Sequence, residues 1–231
     1  QVKSVRTVTL INPFLDYVEG TGVVNRTFPP LCLGYIAAGI RSKYEVKIID
    51  ANAERITNND WVGRREKADI FIVSSADVDR WQCPTLNIDS VIDLLYLLRN
   101  DNSKSVFYLI GPHSSPFYTL PDLSWVKVIT GAPEIGLINT LTGEERLKTF
   151  EDFPMPAYDL LPMHLYKYEV LGPRFSLVET TRGCPYHCIF CSKVMGQEVY
   201  HMRKPSDIVD EVEYLHNSFG VKNIFFFDME F

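Results

Sequence analysis

Residues 5 to 141 alternate short runs of β-branched and aliphatic residues with segments of helical spacing, and this alternation constrains the fold more than any other feature. The runs are 5–11 (VRTVTLI), 46–50 (VKIID), 70–75 (IFIVSS), 106–110 (VFYLI) and 126–129 (VKVI). Near-continuous apolar runs of this length suit parallel strands buried on both faces. Between them, residues 31–40 are rich in small residues, follow Pro29 and Pro30, and read as a helix. A second helix is expected over 88–99, begun by Asn87 or Asp89, because Ile88, Val91, Ile92, Leu95 and Leu98 share one face. The expectation is an α/β, Rossmann-like doubly wound parallel sheet.

In such a sheet, ligands sit outside the carboxyl ends of the strands. The residues expected there are Asn12, Pro13 and Phe14; Ser74 and Ser75; Gly111, Pro112, His113 and Ser114; and Gly131, Ala132, Pro133 and Glu134. Gly111 and Gly131 allow backbone to approach a ligand closely. Most sheets also use Gly and Ser at strand ends for turns, so the pattern alone names no ligand. No G-x-G-x-x-G follows the first run, which disfavours a dinucleotide. His113 reads either as a hydrogen-bonded structural histidine or as a metal ligand.

Residues 146–173 carry Pro154, Pro156 and Pro162 among aromatics and read as an interdomain linker. Beyond it, residues 174–180 form a strand candidate that leads into Cys184, Cys188 and Cys191, a C-x3-C-x2-C loop. Three neighbouring thiolates can hold three irons of a [4Fe–4S] cluster and leave the fourth iron open to a small molecule. Two other readings stay open on spacing alone: zinc with His187 or His201 as fourth ligand, and plain buried thiols. Disulfides suit an odd, tightly spaced trio poorly, and a ferredoxin would bring a fourth cysteine. Pro205, Ser206 and Asp207 open a helix that Gly220 would end, and residues 221–228 are a further strand.

Composition removes several classes. A net charge of −6 argues against a nucleic-acid backbone as partner. No apolar run approaches the ~20 residues needed to cross a bilayer. The first residues lead straight into a strand-like run, so no signal peptide is expected. Five cysteines in 231 residues, three of them clustered, fit a metal site in a reducing cytoplasm better than a disulfide scaffold.

The stretch 182–191 (RGCPYHCIFC) closely resembles the cluster loop of the radical S-adenosylmethionine (SAM) enzymes. Residues 28–38, 109–113, 131–134 and 153–161 resemble the cobalamin-binding domain and connector of class B members of that family. The resemblance implies residues 1–145 as a cobalamin-binding domain, 146–173 as linker and 174–231 as the start of a radical SAM (βα) barrel. It implies Cys184, Cys188 and Cys191 as cluster ligands, Phe190 beside the SAM adenine, and Asp228 or Glu230 near the SAM ammonium. For cobalamin it implies Asn12, Ser74, Ser75, Gly111, Pro112, His113, Gly131 and Glu134. The loop after the first strand lacks the D-x-H-x-x-G that brings a histidine to cobalt, and Pro112 and Ala132 also depart from the usual pattern. Trp81, in a W-Q-C-P stretch, is a candidate contact for the lower cobalamin face, with an ordinary surface loop as the alternative.

The implied activity is cobalamin-dependent methyl transfer. One SAM methylates the cobalamin, and a second yields the 5′-deoxyadenosyl radical that activates a small-molecule or peptide substrate. A flavodoxin- or ferredoxin-type donor would supply the electrons. The alternatives are a cyclisation or rearrangement without methyl transfer, and a non-catalytic cluster- or cobalamin-binding module. Because the aromatic strand near Phe231 would need further βα units to cover it, a longer parent protein is expected.

Overall fold

The computed structural model describes residues 5–14, 27–75, 88–114, 123–145, 147–186, 199–228 and 230–231. The expected strands form one five-stranded sheet of β1 (Thr7–Asn12), β2 (Glu45–Asp50), β3 (Ile70–Ser74), β4 (Val106–Ile110) and β5 (Val126–Val128). Every pairing is parallel, in the order β2-β1-β3-β4-β5. The first strand runs later than its apolar pattern suggests, because Asn12 still pairs with Asp50. This order places a topological switch point between β1 and β3, the usual ligand crevice of such sheets.

Side chains alternate between two cores. Ile70 and Ile72 of β3 face one core with Leu10, Tyr108 and Ile110, while Phe71 and Val73 face the other with Ile11, Phe107 and Leu109. Helices α1 (Leu31–Ile40) and α5 (Pro133–Thr142) cover the first face. Their contact is close: a Cβ on Gly39 would lie 2.5 Å from Cδ1 of Ile138. The second face is covered by α3 (Asn58–Arg64) and α4 (Asp89–Asp101). Neither α3 nor the short α2 (Ala51–Glu54) before it was expected. The start of α3 is fixed by a capping box in which Thr57 and Asp60 satisfy each other's backbone amides.

Residues 147–166, within the expected linker, pack closely against the sheet domain. The prolines break regular helix into single 3-10 turns, yet Phe150, Phe153, Tyr158, Met163 and Tyr166 are buried in the same core as α1. This strap then enters a small hairpin of β6 (Lys167–Tyr168) and β7 (Gly172–Pro173).

Beyond it lies a βαβ unit. Strand β8 (Phe175–Val178) pairs in parallel with β11 (Asn223–Phe226), and α6 (Pro205–Phe219) connects them. Helix α6 ends as expected at Gly220, whose φ of 64° lets its N–H close the helix on the His216 carbonyl. Between β8 and α6, β9 (Thr181–Arg182) pairs antiparallel with β10 (His201–Met202). That two-rung ladder pins both ends of the cysteine loop. Among the described residues no helix is long and apolar enough to cross a membrane.

Candidate functional site

Two polar surfaces meet along the strand ends. On the N-terminal sheet, the end of β3 presents Ser74 and the fully buried Ser75, whose N–H donates to the Ile110 carbonyl over 2.8 Å. Directly beside it Gly111 adopts φ 105°. A Cβ there would fall 2.8 Å from Oγ of Ser75 and 3.3 Å from Oγ of Ser74, so only glycine permits this approach. Pro112 and His113 follow in a 3-10 turn ending at Ser114. Gly131, φ 78°, faces open space just before α5. A bare backbone ledge flanked by hydroxyls is chemistry that can seat an amide-rich corrin, and Ser74, Ser75, Gly111 and Gly131 fit the group to that extent. Trp81 and Cys83 lie outside the described residues.

Asn12, expected on this face, has its side-chain amide bonded to a neighbour. Its Nδ2 donates to Oδ1 of Asp50 over 2.8 Å, and the Ala53 N–H donates to the same oxygen. Tyr166, from the strap, donates its hydroxyl to Oδ2 of Asp50 over 2.8 Å. Burial pushes the Asp50 carboxyl up to about 6, despite these three donors. The folded protein therefore holds a proton that the unfolded chain releases between about pH 4 and pH 6. Stability from this group falls as pH rises through that window, by on the order of 3 kcal/mol in total, and is constant above it. Asp50→Asn is expected to remove that slope, seen as a wild-type-minus-variant difference in melting temperature that changes between pH 4 and 6. Parallel curves would contradict the assignment.

The second surface carries the cysteine loop. Cys184 lies in the described residues, half-buried and unpaired, whereas Cys188, Phe190 and Cys191 lie outside them. The chain entering Cys184 is held from three sides. Asp228, at the end of β11, accepts the N–H groups of Thr180 and Thr181 on Oδ1 at 2.7 and 2.9 Å and the Thr180 hydroxyl on Oδ2 at 2.5 Å. The Glu230 carbonyl accepts the Thr181 hydroxyl. Asp228, expected beside the SAM ammonium, thus has both oxygens engaged in holding the loop. Gly183, at φ 77°, then turns the chain into the cysteines.

The third hold was not expected from the sequence. Arg182 is buried, and its Nη2 reaches Oε1 of Glu134 at 2.9 Å and Oε2 of Glu179 at 2.8 Å. Its Nε donates to Oε1 of Glu179, and its guanidinium lies 4.5 Å from the Phe150 ring centroid and 4.8 Å from that of Phe153. Burial would lower the Arg182 pKa, but the two carboxylates hold it well above the ordinary arginine value. Next to it, Arg203 donates Nη1 to the Glu179 carbonyl and approaches Oε2 of Glu211 at 2.6 Å. The Tyr158 hydroxyl donates to Oε1 of Glu211 over 2.6 Å. Glu134, expected at the cobalamin, is thus paired with Arg182 in this ion network.

No family model matches the chain. Over 240 aligned residues it is 29% identical to an uncharacterised methyltransferase of Pyrococcus horikoshii, covering 90% of this chain and 50% of that protein. It is 37% identical to an anaerobic magnesium-protoporphyrin IX monomethyl ester cyclase of Cereibacter sphaeroides, covering 93% of this chain and 39% of the cyclase. The chain thus spans half or less of the length of these relatives. Two kinds of solved structure share its fold. The cobalamin-dependent SAM radical enzyme OxsB, solved with aqua-cobalamin and SAM, superposes with a TM-score of 0.68 at 19% identity, over 99% of this chain and 34% of that one. The radical SAM methyltransferase TsrM of Kitasatospora setae, solved with cobalamin and a [4Fe–4S] cluster, gives 0.65 at 16% identity, over 97% of this chain and 49% of that one.

Proposed function

We propose, from a chain that shares the fold of cobalamin-dependent radical SAM enzymes and is similar in sequence to part of methyltransferase- and cyclase-named proteins, a cobalamin-dependent radical SAM enzyme that transfers a methyl group. Residues 1–145 are its cobalamin domain and residues 174–231 the first part of its radical SAM barrel. The observation that carries this reading is the way β8, β9, β10 and Asp228 all converge on the base of a C-x3-C-x2-C loop beside the ligand ends of a switch-point sheet.

Cys184, Cys188 and Cys191 would hold the cluster. Ser74, Ser75, Gly111, Pro112, His113 and Gly131 would seat cobalamin, with Phe190 and Glu230 on the SAM side. When bound, the cluster and corrin supply the one-electron and methyl-transfer chemistry that no protein side chain can. The chain's own residues orient these groups. Asp228 fixes the backbone leading into Cys184, and the buried Arg182 pairs tie that same segment to Glu134 and Glu179. A small-molecule or peptide substrate, an external flavodoxin- or ferredoxin-type donor and a reducing cytoplasm complete the proposal. A cluster of three thiols in one loop fits that compartment better than a disulfide scaffold does.

Metal analysis tests it. Protein prepared without oxygen and supplied with cobalamin is expected to carry about four irons and one cobalt per chain. Zinc near one and no iron would reject the enzyme reading. The similarity to the cyclase supports a second outcome, radical chemistry without methyl transfer. Incubation with methyl-labelled SAM separates the two: methyl transfer yields S-adenosylhomocysteine alongside 5′-deoxyadenosine, and cyclisation yields 5′-deoxyadenosine alone.

A further inference from the structure

The Glu134–Arg182 pair joins two places that the proposed chemistry keeps distinct. Glu134 is in the first turn of α5, three residues after Gly131 on the ligand side of the sheet, and is fully buried. Arg182 is the second residue before Cys184, so their Cα atoms lie within about 7 Å of each other along the chain. One carboxylate of the N-terminal sheet domain therefore grips the backbone segment that delivers the cysteine loop. The other anions near this guanidinium come from the loop's own side, Glu179 directly and Glu211 through Arg203. Three buried carboxylates face two guanidiniums here, so each charge acts on its surroundings through a medium that screens weakly.

Resting on the radical SAM reading above, we propose that Glu134 is a positioning residue for the cysteine loop, which it anchors through Arg182 while setting the charge two residues from Cys184. Such an anchor links the cobalamin domain to the cluster electrically as well as mechanically. Neutralising Glu134 leaves Arg182 with less compensating negative charge. Adding an electron to a cluster held by Cys184 then becomes easier, and the reduction potential rises.

Charge and shape can be separated by two variants. Glu134→Gln keeps the shape and an acceptor oxygen but removes the charge. Glu134→Asp keeps the charge but shortens the side chain by one methylene. Both are prepared without oxygen, checked by thermal unfolding and iron content, then titrated potentiometrically with the reduced cluster followed by electron paramagnetic resonance. The Gln variant is expected to show an upward shift in potential and altered g-values, and the Asp variant to match the wild type. Loss of iron from a folded Gln variant alone would also support the anchor. A wild-type potential in the Gln variant, or a shift in the Asp variant only, would overturn the proposal. Absence of iron from the wild type would instead overturn the reading on which it rests.

Discussion

Arg182→Met is expected to destabilise the protein by about 3–5 kcal/mol, the usual cost of removing one partner from a buried ion pair. The loss is large because Glu134 and Glu179 are both buried and the variant removes the guanidinium that bridges them, while Arg203 is engaged with Glu211. The aromatic floor of Phe150 and Phe153 would tolerate a methionine by shape, and the effect is therefore one of charge. Chemical denaturation measures the loss, and one as small as that of an exposed ion pair would contradict the assignment. Arg41→Met is the contrast. It breaks an ion pair with Asp159 whose side chains are 46% and 42% exposed, and should cost no more than about 1 kcal/mol.

The sheet was legible because parallel strands buried on both faces leave apolar runs that nothing else explains. Residues 70–74 and 106–110 are examples, with neighbours in sequence buried in opposite cores. Strand ends were less so, since Asn12 joins β1 through its pairing with Asp50 rather than through its own polarity. The signal for α3 was present as Thr57 followed three residues later by Asp60, but Gly63 and only one buried residue, Trp61, left its apolar face faint. The packing of the strap was not legible for a physical reason. Pro154, Pro156 and Pro162 remove amide donors and forbid periodic structure, so no spacing announces that Tyr158 and Tyr166 are buried. At the site, the strand ends and the carboxylates could be named from sequence. Their partners could not, because Glu134 meets Arg182 across 48 positions and Asp228 meets Thr180 across the same separation. Tertiary pairing alone decides whether such a carboxylate faces a ligand or a neighbour.

Asp228→Ala is expected to strip iron from the protein while leaving its N-terminal sheet folded. Removing the carboxylate orphans the N–H groups of Thr180 and Thr181 and the Thr180 hydroxyl together. Each unsatisfied, partly buried donor costs about 1–3 kcal/mol, which is enough to release this segment from its position. The segment leads through Arg182 and Gly183 into Cys184, so freeing it raises the entropy cost of bringing three thiolates to one metal centre. Asp228→Asn retains acceptor capacity on one oxygen and should keep part of the iron. The order wild type, Asn, Ala in iron content, measured on protein prepared without oxygen, is the expected result. Were Asp228 to act only on the SAM ammonium, both variants would hold full iron and lose SAM affinity instead. Iron content therefore separates a residue that builds the loop from one that receives the ligand.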